Sequence, residues 1–124
     1  MAQPKTILFI DDNPVDRALI ERILSKYHFR VLLAEDGPSG LQMAQYEKLD
    51  LILLDILLPG ISGIELCKKL KKDPLTRDIP VIFYTSLETP KNLINYASYG
   101  ARDYLQKSMA PEELVVAIKR VLRI

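Results

Sequence analysis

Short apolar runs recur along the chain, and segments with helical spacing of apolar residues lie between them. An unbroken apolar run suits a strand that is covered on both faces, as in a parallel sheet with helices on each side. The alternation of such strands with helices predicts an α/β fold, a doubly wound five-stranded parallel sheet. The predicted strands are residues 6–10, 30–34, 50–54, 80–84 and 103–106.

Residues that start helices stand after several of these strands. Asn13 precedes Pro14, which is an N-cap followed by proline at the first helical position. Thr89 precedes Pro90 in the same way, and a capping box starts at Ser62. The predicted helices are residues 14–27, 38–47 and 62–72, one that starts near residue 89, and one from residue 111 to 124. The first helix is expected to pack through Val15, Leu19, Ile20, Ile23 and Leu24.

Length and charge narrow the classes of protein that fit. A chain of 124 residues with 48% hydrophobic residues suits one globular domain, here residues 1–124. Seventeen basic and sixteen acidic residues give a formal charge of +1, which offers no electrostatic attraction to nucleic acid or to a membrane surface. The N-terminal apolar run, residues 6–10, is too short for a signal peptide or a membrane span, so we expect a cytoplasmic location.

Candidate site residues follow four of the five predicted strands. Asp11 and Asp12 follow the first strand, Asp55 the third, Thr85 the fourth and Lys107 the fifth. The carboxyl ends of parallel strands meet at one edge of a sheet, so these side chains are expected to converge there. Three carboxylates at close range repel one another unless a cation joins them. Their oxygen ligands suit Mg²⁺, and the sequence therefore predicts a magnesium site.

The same residue types support phosphoryl transfer. A carboxylate that attacks phosphorus forms an acyl phosphate, and Asp55, at the end of a central strand, is the candidate nucleophile. Lys107 and the metal would neutralise charge on the phosphoryl group, and Thr85 could donate a hydrogen bond to one of its oxygens. Each residue alone also fits an ordinary loop position. It is their joint placement after the strands that favours a site.

Four features together resemble the receiver domain of response regulators, and of the single-domain, chemotaxis-regulator type in particular. They are the pair Asp11-Asp12, the segment Asp-Ile-Leu-Leu-Pro-Gly-Ile-Ser-Gly at 55–63, the hydroxyl at Thr85, and the segment Gly-Ala-Arg-Asp-Tyr-Leu-Gln-Lys at 100–107. The resemblance covers essentially the whole chain. It implies a flavodoxin-like (βα)5 fold with strand order 2-1-3-4-5.

The resemblance also implies a set of roles. Asp55 would be phosphorylated by a histidine kinase or a histidine phosphotransfer protein of a two-component or phosphorelay system. Mg²⁺ would be held by Asp12, Asp55 and the backbone carbonyl of Leu57, with Asp11 acting through water. Lys107 would contact the phosphoryl group.

A two-state switch is part of what the resemblance implies. Thr85 would move toward the phosphoryl group, and Tyr104 would turn inward into the space it leaves. This change would alter the surface of the fourth helix, fifth strand and fifth helix, which would bind a downstream target protein or a second copy of the chain. On that surface we expect Tyr96, Tyr99, Tyr104 and Val116 to contribute.

Other functions fit less well. A Mg²⁺-dependent aspartyl-phosphate phosphatase normally needs an acid/base carboxylate two residues after the nucleophile, and that residue is Leu57. We therefore expect a signalling module rather than an enzyme, with at most slow self-hydrolysis of the phosphoryl group. A flavodoxin-like cofactor carrier is disfavoured because Asp11 and Asp12 would repel the phosphate of a flavin nucleotide.

One residue departs from the pattern of the family. Lys107 is followed by Ser108, where such domains usually have Lys-Pro, commonly with a cis bond. A cis bond before a residue other than proline costs about 3 kcal/mol, so this loop is either trans or strained. Ser108 is also the only feature that favours a third function, a receiver-like scaffold that works without phosphorylation.

Overall fold

The computed structural model describes residues 3–124, and its elements follow the predicted order. The strands are β1 (Thr6–Ile10), β2 (Arg30–Ala34), β3 (Leu51–Leu54), β4 (Val81–Thr85) and β5 (Asp103–Gln106). The α-helices are α1 (Pro14–Lys26), α2 (Gly37–Tyr46), α3 (Gly63–Lys72) and α4 (Pro111–Leu122). All strand pairs are parallel and the sheet order is β2-β1-β3-β4-β5, which confirms the predicted fold class and strand order.

The sheet has an apolar layer on each face, which explains why its strands are apolar without interruption. Successive side chains of a strand point to opposite faces. In β1, Ile7 and Phe9 pack in one layer with residues of α1 and α4. Leu8 and Ile10 pack in the other layer with residues of α2 and α3. The sheet is therefore buried on both sides, and its carboxyl edge is left for polar groups.

The predicted caps start the first and third helices. The side chain of Asn13 accepts hydrogen bonds from the backbone nitrogens of Val15 at 2.9 Å and Asp16 at 3.3 Å. Ser62 Oγ accepts from the nitrogen three residues later at 3.3 Å. The second helix begins one residue earlier than predicted, because Asp36 caps it by accepting from Ser39 N at 2.8 Å. Among the helices of residues 3–124, none has the length and apolar character that crossing a bilayer requires.

The prediction of a helix that starts near Thr89 and Pro90 is wrong. Two short 3₁₀ helices lie there, η1 (Lys91–Leu93) and η2 (Tyr96–Tyr99). The segment is poor in strong helix formers, and its polar residues compete for backbone groups. Ser98 Oγ donates to Asn95 O at 2.8 Å, and Gly100, at φ 96°, ends the second 3₁₀ helix. The proline signal therefore marks a turn of the chain but no α-helix.

The prediction for the apolar face of α1 is correct only in part. Ile20 and Leu24 are buried, and Ile23 packs beside them. Val15 and Leu19 lie outside the core, with 71% and 48% of their surface exposed. Residues four apart share one helix face, and the stripe that contacts the sheet is the one that contains Ile20 and Leu24.

Candidate functional site

Backbone hydrogen bonds continue past the ends of the strands and set the site residues side by side. Asp11 N donates to Ala34 O at 3.0 Å, and Asp55 N donates to Ile10 O at 3.0 Å. At the other side, Lys107 N donates to Thr85 O at 2.9 Å. The first residues after β1, β3 and β5 are thus held at one edge of the sheet, where the sequence predicts them to converge.

The ammonium group of Lys107 lies among three carboxylates. Its Nζ is 2.6 Å from Asp11 Oδ2, 2.7 Å from Asp16 Oδ2 and 3.1 Å from Asp55 Oδ2. The contacts with Asp16 and Asp55 are hydrogen bonds. The contact with Asp11 is a buried ion pair at equally short range. Lys107 therefore links the loops after β1, β3 and β5 through charge.

Burial and charge act in opposite directions on these groups. Burial alone would lower the pKa of Lys107, but its contacts with Asp11 and Asp16 and the charge of Asp55 outweigh burial and raise that pKa above its ordinary value. Burial raises the pKa of Asp11, although the neighbouring Lys107 opposes this shift. Lys107 is consequently a permanent positive charge in the site.

The acidic residues fit a divalent cation. Asp11, Asp12 and Asp55 each offer a carboxylate oxygen, and these oxygens all lie within 4.8 Å of one another. Asp11 and Asp55 are buried, whereas Asp12 is exposed, so the cluster opens to solvent on one side. Oxygen ligands of this kind, two of them held on buried residues, match the preferences of Mg²⁺. Leu57 N donates to Asp55 Oδ1 at 3.1 Å, which sets Leu57 beside the cluster.

Two residues of the predicted switch are buried. Thr85 is fully buried, and its Oγ1 accepts from Leu87 N at 3.2 Å. Since a hydroxyl that accepts one hydrogen bond still carries a hydrogen, Thr85 keeps a donor for a further partner. The Tyr104 hydroxyl donates to Thr89 O at 2.8 Å and also reaches Leu87 O at 3.2 Å. Both residues therefore connect β4 and β5 to the segment that precedes η1.

The residues predicted for a partner surface differ in exposure. Tyr104 is 2% exposed, so it belongs to the core and not to an exposed aromatic surface, because its position in β5 turns it toward the layer shared with α3. Tyr96 and Tyr99 are half-buried and pack against the same layer. Val116, on α4, is 54% exposed. Only Val116 presents most of its side chain to solvent.

Two residues that sequence reasoning missed, Asp16 and Arg17, support the site, and so does Gly63, the last residue of the 55–63 segment. Asp16 contacts Lys107, and Arg17 Nη1 donates to Asp11 O at 2.7 Å. A Cβ atom on Gly63 would lie 2.1 Å from Asp55 O, so only glycine lets α3 approach the loop after β3 this closely. An acidic residue in the first turn of a helix is commonly explained by the helix dipole, which hides the role of Asp16.

The loop after β5 keeps Lys107 in the site although serine follows it. The Lys107–Ser108 peptide bond is trans, as are the other peptide bonds of residues 3–124. Lys107 Nζ still reaches Asp55, at 3.1 Å. The departure from the Lys-Pro pattern therefore leaves the lysine within contact of the predicted nucleophile.

Comparisons with known proteins agree with this geometry. The family model of the response regulator receiver domain matches residues 7–119 of this chain. The phosphate regulon transcriptional regulatory protein PhoB of Pseudomonas aeruginosa is 44% identical over 119 residues, which are 96% of this chain and 52% of that protein. Protein PilH of the same organism is 38% identical over 116 residues, which are 94% of this chain and 96% of that protein.

One similar solved structure contains a magnesium ion. The receiver domain of the sensor histidine kinase PA1611 from P. aeruginosa PAO1 has a TM-score of 0.85 and 29% identity, covering 98% of this chain and 99% of that one. Its active site cleft holds a coordinated magnesium ion. The chain spans about half the length of PhoB and nearly all of PilH, so the relatives include proteins with and without long additional segments.

Proposed function

This chain belongs to the family of response regulator receiver domains, and we propose that it accepts a phosphoryl group on Asp55, with Mg²⁺, as a single-domain response regulator of a two-component or phosphorelay system. Receiver domains are signalling modules and not classical enzymes. The phosphoryl donor would be a histidine kinase or a histidine phosphotransfer protein. The phosphorylated state would then change which partner the chain binds.

The surroundings of Asp55 are the observation that carries the proposal. Asp55 is 3% exposed, yet it faces a permanent cation, Lys107, and acidic groups from the loop after β1. A buried carboxylate costs free energy unless a cation or hydrogen-bond donors stabilise its charge. One between an ammonium group and a cluster suited to Mg²⁺ is placed to react with a phosphoryl group whose charge both cations offset.

The proposed step conserves atoms and charge. A carboxylate oxygen of Asp55 attacks phosphorus and forms the oxygen–phosphorus bond of an acyl phosphate. The bond from phosphorus to the imidazole nitrogen of a phosphohistidine donor breaks, and that nitrogen keeps the electron pair. Lys107 contacts one phosphoryl oxygen, and Thr85 donates its hydroxyl hydrogen to another. Asp12, Asp55 and the carbonyl of Leu57, with Asp11 through water, would hold Mg²⁺, which supplies charge stabilisation when bound.

The exposed residue at the position of a phosphatase acid/base supports a signalling role. Leu57 stands two residues after Asp55 and is apolar and half-exposed. It has no proton to give or take, so a water molecule that attacks the acyl phosphate receives no help from this side chain. Self-hydrolysis of the phosphoryl group would therefore be slow, which suits a signal that persists.

The readout surface would be formed by η1, η2, β5 and α4. A pull on Thr85 by the phosphoryl group would disturb the segment from Leu87 to Thr89, to which Tyr104 is hydrogen-bonded. Beside this segment lies an open groove, and Val116 is one of the residues that line it. Charged residues of both signs line the groove: Lys91, Asp103, Glu112, Glu113 and Arg120. Tyr96 would border it, since Lys91 lies over the Tyr96 ring, whereas Tyr99 lies beside Lys68 of α3.

Mixed charge favours a second copy of the chain as the partner at this groove. In a two-fold dimer each patch meets its own copy, so a patch that carries both signs can pair with itself. A downstream target protein of complementary charge is the alternative occupant. Oligomeric state with and without phosphorylation separates the two.

Intact mass spectrometry tests the proposal. Wild-type protein incubated with acetyl phosphate and Mg²⁺ should gain one phosphoryl group, about 80 Da. Asp55→Asn has the same shape but cannot form an acyl phosphate and should gain nothing. Removal of Mg²⁺ with EDTA should suppress the gain in the wild type. An equal gain in Asp55→Asn, or none in the wild type, would contradict the proposal.

A further inference from the structure

Among residues 3–124, Asp16 is the one charged partner of Lys107 that lies outside the acidic cluster. Lys107 Nζ is 2.7 Å from Asp16 Oδ2, and this hydrogen bond joins the loop after β5 to the first turn of α1. The other two carboxylates that contact Lys107, those of Asp11 and Asp55, also belong to the metal-compatible cluster. Asp16 does not.

A bound cation would change the balance among these contacts. A divalent ion at the cluster takes up carboxylate charge of Asp11 and Asp55, and it repels the ammonium group of Lys107. Both effects weaken two of the three contacts of Lys107. The hydrogen bond to Asp16 remains, since the carboxylate of Asp16 is not among the cluster oxygens.

We propose that Asp16 is a positioning residue that holds the Lys107 ammonium beside Asp55 when the cluster carries Mg²⁺. The inference rests on the proposed function, because it assigns a role in the same phosphoryl-transfer site. Asp16 does not touch the phosphoryl group; it acts through Lys107.

Local structure suits Asp16 to this task. Its backbone nitrogen is fixed by the cap residue Asn13, and its side chain is short, so its carboxylate moves little. Lys107 has a long, flexible side chain, and Ser108 after it lacks the ring with which proline restricts the backbone. A second fixed anchor on α1 would therefore confine an ammonium group that its own loop confines only in part.

Lysine labelling tests the role without measuring catalysis. Brief treatment with acetic anhydride, followed by peptide mass spectrometry, reports how accessible and how charged each lysine is, with exposed Lys48 as the internal reference. In the wild type, Lys107 should stay protected with and without Mg²⁺. In Asp16→Asn, which keeps the shape but loses the charge, Lys107 labelling should rise about tenfold when Mg²⁺ is added, as expected for loss of one charge-assisted hydrogen bond.

Two further variants separate positioning from stability. Asp16→Glu restores the carboxylate and should restore protection of Lys107. Glu21→Gln removes an exposed carboxylate from the same helix and should leave the labelling unchanged. Thermal unfolding of each variant checks that it is folded. Equal protection of Lys107 in Asp16→Asn and in the wild type with Mg²⁺, or failure of Asp16→Glu to restore protection, would overturn the role of Asp16.

The outcome is independent of the test of phosphorylation. Wild-type protein that gains about 80 Da while Asp16→Asn protects Lys107 fully would overturn only the role of Asp16. Wild-type protein that gains no mass would contradict the proposed function, whereas the labelling would still decide whether Asp16 holds Lys107. With both supported, Asp16→Asn should phosphorylate about tenfold more slowly at saturating acetyl phosphate and Asp16→Glu near the wild-type rate.

Discussion

At the carboxyl edge of the sheet, one ammonium group contacts three carboxylates, and a fourth carboxylate lies near two of them. Asp11, Asp16 and Asp55 contact Lys107, and Asp12 completes the cluster of acidic oxygens. One cation cannot neutralise four anions, so the site repels itself in part. A bound divalent cation would relieve this repulsion and stabilise the native fold. The cost to stability and the capacity to bind Mg²⁺ thus have the same origin.

Stability should depend on pH through Asp11. Because burial raises its pKa above the ordinary 3.8, the folded protein holds this proton more strongly than the unfolded chain does. The stability that protonated Asp11 contributes is present below the ordinary pKa and is lost as pH rises through the raised value. Asp11→Asn removes this loss. We expect the metal-free variant to gain stability relative to the wild type between acid and neutral pH.

Urea unfolding at several pH values measures this effect. The difference in the free energy of unfolding, variant minus wild type, should grow from acid to pH 7. Asp78→Asn, which removes an exposed carboxylate far along the chain, is the matched control for the loss of one charge. A difference for Asp11→Asn that shrinks toward neutral pH would mean that the attraction of Lys107 for Asp11 exceeds the effect of burial.

The residues that the sequence predicts and those that it misses differ in kind. Asp55, Thr85 and Lys107 could be located because each directly follows a predicted strand, and strand ends meet at one edge. Asp16 and Lys107 are 91 residues apart in the sequence, and their contact depends on how α1 packs relative to the loop after β5. No local pattern encodes that approach, so Asp16 became visible only in three dimensions.

Among the elements, α1 has two apolar stripes with different surroundings. Leu24 is fully buried against the sheet, whereas Leu19 is 48% exposed. Leu24→Ala should lower the free energy of unfolding by about 2–5 kcal/mol, because it leaves a cavity in the core. Leu19→Ala on the same helix should change it by no more than about 0.5 kcal/mol. Urea unfolding of the two variants measures both effects, and equal losses would contradict the packing of α1.

The segment between β4 and β5 marks the limit of local rules. An N-cap with a following proline correctly located the start of α1, where an apolar stripe contacts the sheet. The same signal at Thr89 and Pro90 precedes only η1 and η2. Caps indicate where a helix can begin, but tertiary packing and helix propensity decide whether it continues. The unbroken apolar strands carry their own packing requirement, and their predicted bounds hold to within one residue.

For the whole molecule, the topology was predictable and the partner was not. Alternating strands and helices with right-handed crossovers leave few possible sheets, and the family resemblance selects the observed order. A binding surface depends on which side chains protrude after folding. Tyr104 and Val116 illustrate this, since both were expected at the surface and only Val116 is exposed.

Dimerisation provides a test at this scale. If the groove around Val116 binds a second copy, protein phosphorylated with acetyl phosphate and Mg²⁺ should sediment as a dimer, and Val116→Glu should keep it monomeric because a buried unpaired carboxylate is costly. Val15→Glu places the same charge at an exposed valine of α1 and should leave the dimer intact. Dimers of phosphorylated Val116→Glu, or a monomeric phosphorylated wild type, would contradict a self-association surface at this groove.

The position of the phosphoryl group tests the central claim most directly. Borohydride reduces an acyl phosphate to an alcohol, so an aspartyl phosphate becomes homoserine at the residue that carried it. After treatment with acetyl phosphate and Mg²⁺, peptide sequencing by mass spectrometry should find homoserine at position 55 and aspartate at positions 11, 12 and 16. Homoserine at another of these positions, or aspartate at all four, would contradict Asp55 as the phosphoryl acceptor.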